Sequence, residues 1–265
     1  MRNPSFSIIT VVYNDEVNIK KTIMSIINQT YLNKEYIIID GNSNDNTLKI
    51  CNQYINKIDQ IVSEPDEGLY DAMNKGMNIA SGDYIIFINS GDIFASNDTL
   101  TLVSDNINNK SKINPDFIYG DSLECRIYGN EVFYKKARSY KFIWYGMFTH
   151  HQSMFYSRKI IKNHGLEFNL KYKLASDWDF TAKFLTKSNN HLRIPIPVSI
   201  FKQGGLSSNF ILGLKEQFII RRNTLKISLF NCIFIYIIHW FLSITREHIP
   251  YIYNNLRFVS RSISE

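Results

Sequence analysis

Three aspartates stand where a carboxylate can do chemistry. Asp40 closes the apolar run Tyr36-Ile37-Ile38-Ile39 and opens a turn of small polar residues at 41–46. There it can accept hydrogen bonds from a base or ribose, or cap its own turn. Asp92 follows Ile85-Ile86-Phe87-Ile88 after a tight turn at Gly91. An acid pinned at a strand end can hold a hard divalent cation, Mg2+ or Mn2+, that offsets charge on a leaving diphosphate. It can equally cap a helix near Thr99. Asp177 and Asp179 flank Trp178 at the start of a predicted helix. One is suited to act as general base on a hydroxyl, the other as a first-turn acid favoured by the helix dipole. Two residues apart on a helix, they point to different faces, so the two do not share one task. His150 and His151 sit in an aromatic setting, and a structural role is the expectation for at least one of them.

A parallel sheet would position these acids. Residues 6–13 form a short apolar β-branched run that reads as a buried strand, followed by Ile19, Ile23, Ile26 and Ile27 at helical spacing. Strands at 36–39, 58–63 and 84–88 alternate with helices from Thr47 and over 68–80. Such alternation predicts an α/β fold, a mostly parallel central sheet with helices on both faces. Ligands of such sheets lie beyond the carboxyl ends of the strands, where Tyr13-Asn14, Asp40, Ser63-Glu64 and 89–92 all fall. The turn after the second strand lacks GxGxxG, which argues against a classical dinucleotide fold. The second half is less regular, with a strand at 116–120, a helix at 176–185 and a late strand at 198–202. From Phe210 the chain reads as a C-terminal helical extension.

The chain has 265 residues, 45% of them hydrophobic, enough for one large α/β domain with an appendage. Three well-separated cysteines without a CxxC pair, and no apolar leader, lead to the expectation of a reducing, cytoplasmic setting. The net charge is +6, and +5 of it lies from Lys202 onward. Residues 227–244 are apolar but interrupted by Asn231 and His239. With Arg221, Arg222, Trp240 and Arg257 nearby, an interfacial membrane helix is the first expectation, ahead of core packing and of a true span. Nucleic acid is not expected as a partner, because the basic residues are mixed with long apolar runs. A nucleotidyltransferase would carry a Gly-rich basic loop after the first strand, where Tyr13-Asn14-Asp15-Glu16 stands instead.

Taken as an ordered series, SIITVVYN at 7–14, IDGNSNDNT at 39–47, SEPDEGLYDAMNKG at 63–76 and GDYIIFINSGD at 82–92 resemble the family-two inverting glycosyltransferases. The bacterial branch that builds capsule, O-antigen and exopolysaccharide repeat units is the nearest likeness. The resemblance implies a GT-A fold over 1–208, with a nucleotide-sugar-binding half at 1–115, an acceptor half at 116–208, and the extension at 209–265. By position, Val11, Tyr13 and Asp40 would hold the nucleotide base and ribose. Asp71 and Asn74 would face the donor pocket, and Asp92 would be the last acid of a DxD-type metal motif for Mg2+ or Mn2+. Asp177 would be the catalytic base, with His151 and Trp178 on the acceptor side. Two departures stand out: Gly41 replaces a common second acid, and Asn89 and Gly91 replace acids of the metal motif. The implied reaction moves a hexosyl or N-acetylhexosaminyl group, with inversion, from a nucleotide diphosphate-sugar (a UDP-sugar is expected) to a lipid-linked glycan. The implied place is the inner face of the bacterial plasma membrane. A catalytically weak scaffold protein is the non-enzyme alternative.

Overall fold

The structure, a computed structural model, describes residues 3–111, 113–125, 132–202 and 210–248. β1 (Phe6–Val12) is followed by α1 (Ile19–Ile27), β2 (Lys34–Asp40), α2 (Thr47–Asn52), β3 (Gln60–Ser63), α3 (Leu69–Ile79) and β4 (Tyr84–Phe87). β5 (Ile93–Phe94), α4 (Thr99–Lys110), β6 (Phe117–Cys125), β7 (Val132–Lys135), β8 (Met154–Ser157) and α5 (Arg158–His164) come next. α6 (Ser176–Lys187), β9 (His191–Lys202), α7 (Phe210–Asn223) and α8 (Leu229–His248) complete the described chain. The sheet order is β3-β2-β1-β4-β8-β6-β9-β5, with β7 added on β6.

Alternation along the central strands explains why both faces carry helices. Ile8, Tyr36, Ile38 and Ile86 pack on one face with Ile19, Ile23, Leu100 and Val103 of α1 and α4. Their neighbours Ile9, Ile37, Ile39 and Ile85 pack on the other with Met73 and Met77 of α3 and Phe180 and Phe184 of α6. Strands buried on both sides read as continuous apolar runs. β3, β2, β1 and β4 run parallel, so their carboxyl ends share one edge. β8 then runs antiparallel to β4 and β6.

The second half departs from the sequence expectation in extent. β9 begins at His191 rather than near 198, because Pro195 and Pro197, which normally discourage a strand, are absorbed where its pairing with β6 shifts register at Gly120 to Ser122. β8 and α5 were not legible as elements. The expected boundary at 208/209, Gly204-Gly205 and Arg257 lie outside the described residues.

The extension is tied to the sheet domain by two buried charges. Glu216 of α7 is 5% exposed and accepts the backbone N–H groups of Lys173 (2.7 Å), Leu174 (2.9 Å) and Ala175 (2.9 Å). Arg221 is fully buried, lies 4.8 Å over the Trp178 ring and donates to the carbonyls of Trp144 (3.3 Å) and Tyr145 (2.6 Å). This corrects the reading of Arg221 as a membrane-facing cation: its planar guanidinium satisfies carbonyls inside the protein. α8 packs against α7 and buries Cys232 and Ile235, but leaves Phe230, Ile233, Phe234, Ile237, Trp240 and Phe241 exposed. Among the described residues, no helix is long and apolar enough to cross a membrane.

Glu216→Ala would leave three N–H groups of the segment leading into α6 without their acceptor. The expected loss is about 3 kcal/mol of unfolding free energy, read from urea midpoints. An unchanged midpoint would contradict the tie.

Candidate active site

The carboxyl edge of the parallel strands is built by side chains that lock neighbouring turns together. Asp40 is fully buried at the end of β2. It accepts from Ser63 Oγ of β3 (2.6 Å), from Ser43 N (3.1 Å) and from the Ser43 hydroxyl. Ser43 Oγ in turn accepts from Asn14 N (2.8 Å), and Asn14 Oδ1 accepts from Asn44 N (2.8 Å). The turn-organising role of Asp40 is therefore what the structure shows, and it sets the loop that presents Tyr13, whose ring is 60% exposed. Val11 lies in the core beneath, only 4% exposed, so it supports the edge and does not present its side chain.

Asp92 joins three segments. It is 5% exposed, accepts from Gln152 Nε2 (2.6 Å) and from Lys202 N at the end of β9 (3.1 Å), and follows Gly91 at φ +93°. The positive φ is a conformation that favours glycine and turns the chain sharply enough to aim the carboxylate inward. Burial raises the Asp92 pKa to about 6, opposed by the hydrogen bonds from Gln152 and Lys202 N and by His151. The cap of α4 is at Asp98, which removes the helix-cap reading of Asp92.

Anchoring Gln152 presents His151. Its Nδ1 is 3.4 Å from Asp177 Oδ2 and its Nε2 is 3.3 Å from Asn89 Nδ2. Asp177 Oδ1 also takes the Trp178 N–H (2.9 Å) and the Tyr70 hydroxyl (3.4 Å). Burial first, then the Asp177 charge, pushes the Tyr70 pKa well up, so this hydroxyl keeps its proton and donates. The two acids of α6 divide as their spacing requires. Asp177 is partly open, whereas Asp179 is fully buried and paired with Lys183 (2.6 Å) and Thr224. Tyr70 was missed by sequence reasoning, and Asn89 was read only as part of the strand-end cluster at 89–92. Tyr70 lies 107 positions from Asp177, and only its place at the start of α3 hinted at it.

Three expected site residues stand elsewhere. Trp178 is 2% exposed, with its indole N–H on the Ile143 carbonyl (2.8 Å), so it is a packing partner of Arg221 and not an acceptor surface. The Asn74 amide clamps Phe168, donating to its carbonyl (2.9 Å) and accepting from its N–H (2.8 Å). Asp71 accepts from Glu67 N (3.1 Å) and faces Lys75 (3.5 Å). Asp71 and Asn74 line a cavity of about 570 Å³ with Phe168 and Lys183, whose walls include none of the strand-end residues. His150 is held by Lys135 Nζ (2.8 Å) and Glu124 (3.5 Å), the structural role expected for one of the two histidines.

The fit to a cation is poor at Asp92. Both of its oxygens accept hydrogen bonds, and burial favours its neutral form. Asn89 Oδ1 is buried without a hydrogen-bond partner, a single amide oxygen where a hard cation wants several. Among the described residues, no group of three His, Cys, Asp or Glu side chains can hold a metal. As arranged, these residues do not fit Mg2+ or Mn2+.

Known proteins resemble this chain in sequence and in architecture. The model of "Glycosyl transferase family 2" matches residues 7–165. A PGL/p-HBAD biosynthesis glycosyltransferase of Mycobacterium bovis is 30% identical over 226 residues, 80% of this chain and 82% of its own length. An uncharacterized glycosyltransferase of Haemophilus influenzae is 34% identical over 135 residues, half of this chain. In structure, S. aureus TarS 1-349 in complex with UDP-GlcNAc superposes at TM-score 0.67 with 18% identity, covering 88% of this chain and 70% of that one. The mannosyltransferase PcManGT from Pyrobaculum calidifontis, in complex with GDP-Man and Mn2+, superposes at 0.62 with 14% identity, covering 86% and 66%. The fold is the α/β, GT-A-like fold of these neighbours.

Because the folded protein holds the Asp92 proton more tightly than the unfolded chain, the stability this group contributes is full below its ordinary value of 3.8. It is lost as pH rises through about 6. Asp92→Asn removes that dependence. In EDTA, the stability difference should move in favour of the variant by about 1–3 kcal/mol between pH 4 and pH 7. A difference constant over that range would contradict the assignment.

Proposed function

The chain belongs to glycosyl transferase family 2, and from that premise we propose that it transfers the sugar of a UDP-sugar, with inversion, to a hydroxyl of a lipid-linked glycan. The sugar would be a hexosyl or N-acetylhexosaminyl group, and the product a cell-surface polysaccharide of the capsule or O-antigen kind. The observation that carries this reading is the Asp177 carboxylate, partly open and held by Tyr70, His151 and its own helix turn.

In this reading the donor lies across the carboxyl ends of β1 to β4, with its base near Tyr13. The acceptor hydroxyl meets the anomeric carbon from the side of Asp177. Asp177 takes the hydroxyl proton as the new C–O bond forms and the bond to the diphosphate breaks, so the nucleoside diphosphate leaves with the electron pair. The single displacement inverts the anomeric centre. His151, between Asn89 and Asp177, fixes the direction of the carboxylate. Mg2+ or Mn2+ has its support in the family and in the Mn2+ of the archaeal neighbour, not in the Asp92 site, and no step above runs through it.

A place at the inner face of the plasma membrane is supported by the exposed apolar stripe of α8, from Phe230 (79% exposed) to Phe241 (61%). A helix with such a face lies in a bilayer interface, not across it.

Asp177→Asn should lower turnover by ~10²–10⁴ with the thermal midpoint retained. Near-normal turnover would remove Asp177 from the role. The triple variant Phe230→Ser/Phe234→Ser/Phe241→Ser should lose co-sedimentation with phosphatidylglycerol vesicles while staying folded. Unchanged sedimentation would contradict the membrane-facing assignment of α8.

A further inference from the structure

The turn between α7 and α8, the first half of α8 and the segment before β8 enclose a cavity away from the strand ends. It holds about 550 Å³, within the range of small-ligand sites, and its walls are mainly apolar: Trp144, Tyr145, Leu225, Phe234 and Ile238. Phe234 belongs also to the exposed apolar stripe of α8, so cavity and stripe are continuous. Lys226 is the charged residue among the described walls, and it is exposed. Its backbone sits at φ +55°, a left-handed conformation that a lysine adopts only at a cost. The turn is fixed in this shape. The Ile227 N–H donates to the Arg221 carbonyl (2.9 Å), and Arg222 Nη1 donates to the Ile227 carbonyl (2.6 Å). A glycine at 226 would relieve the strain but leave the rim of the cavity without its ammonium. The cavity wall is also tied to the candidate base. Arg221 donates to the carbonyls of Trp144 and Tyr145 and stacks on Trp178, the neighbour of Asp177.

We propose that this cavity holds the hydrocarbon chain of the acceptor's lipid, with the phosphate at the head of that chain against Lys226. This rests on the reading of the protein as a transferase to a lipid-linked glycan. An apolar slot with one ammonium at its rim matches an amphiphile whose anionic group sits where a hydrocarbon chain begins, and lysine meets a phosphate as a point charge. A partner helix or a second copy of the chain would cover a broad apolar face and gives no reason for a strained lysine beside a slot. Bulk phospholipid shares the chemistry of chain and phosphate. The tie through Arg221 and Trp178 to Asp177 favours the acceptor lipid, because it sets the cavity in the same packed unit as the group that takes the acceptor's proton.

The test is calorimetric titration of the full chain, without bilayer, with farnesyl phosphate, farnesol and dihexanoyl phosphatidylglycerol, and separately with UDP and GDP. Wild type should bind farnesyl phosphate more tightly than either of the other two lipids. Lys226→Gln should weaken farnesyl phosphate by about tenfold, the usual scale for a lost contact to a charged group, and leave farnesol unchanged. Lys226→Arg should keep most of the affinity. Lys226→Gly should bind as weakly as Lys226→Gln while its thermal midpoint holds or rises, since the turn loses its strain. Asn231→Phe, at an exposed wall position, should fill the slot and weaken farnesyl phosphate and farnesol alike. Farnesyl phosphate affinity that ignores both Lys226→Gln and Asn231→Phe overturns the proposal. So does equal affinity for dihexanoyl phosphatidylglycerol, which would assign the cavity to bulk lipid. A wild type that is dimeric in solution and becomes monomeric on Phe234→Ser would assign it to a second copy and overturn the proposal as well. Binding of UDP without binding of farnesyl phosphate sinks this proposal alone. Binding of farnesyl phosphate with neither UDP nor GDP sinks the transferase reading, and the acceptor assignment with it.

Discussion

The carboxylate of Asp92 is buried at the meeting point of three segments that lie far apart in sequence. It follows β4, and it holds Gln152 in the loop before β8 and the backbone of Lys202 at the end of β9. A carboxyl group removed from water must be hydrogen-bonded or neutral, and Asp92 meets that demand by drawing the two halves of the domain together. Gln152 is adjacent to His151, so the clamp also decides where the imidazole stands. His151 then bridges Asn89 at the strand-end edge and Asp177 on α6. The spacing between the strand-end edge and the candidate base thus depends on one interior contact.

The remaining supports act on the same helix from behind. Glu216 gathers the backbone that leads into α6, and Arg221 stacks on Trp178, the residue next to Asp177. The C-terminal extension is therefore part of the frame of the site as well as the bearer of an apolar face. The extension thus braces the helix that carries the candidate base and presents the exposed apolar face of α8 from the same packed unit.

Much of the first half was legible because its signal is local. Strands buried on both faces read as apolar runs, and their ends carry the polar turns that such a sheet must present. The different fates of Asp177 and Asp179 follow from helical spacing alone. What was not legible depends on partners distant in sequence. Asp92 reads as a metal acid or a cap until Gln152 and Lys202 are seen beside it. Arg221 reads as a membrane-side cation and Trp178 as an acceptor-side residue until they stack on each other. Asn74 reads as a donor-pocket residue until Phe168 takes up both ends of its amide. The length of β9 was hidden by Pro195 and Pro197, which are tolerated only where the pairing with β6 shifts register.

The central claim is that the nucleotide lies across the carboxyl ends of the parallel strands and is linked through Asp92 to the far half of the domain. Hydrogen–deuterium exchange of the full chain with and without UDP addresses it directly. The account predicts slowed exchange at 11–15, 40–46, 63–68 and 88–92, extending through the clamp to 150–153. Protection confined to the cavity around Asn74 and Phe168, or no protection under saturating UDP, would contradict it.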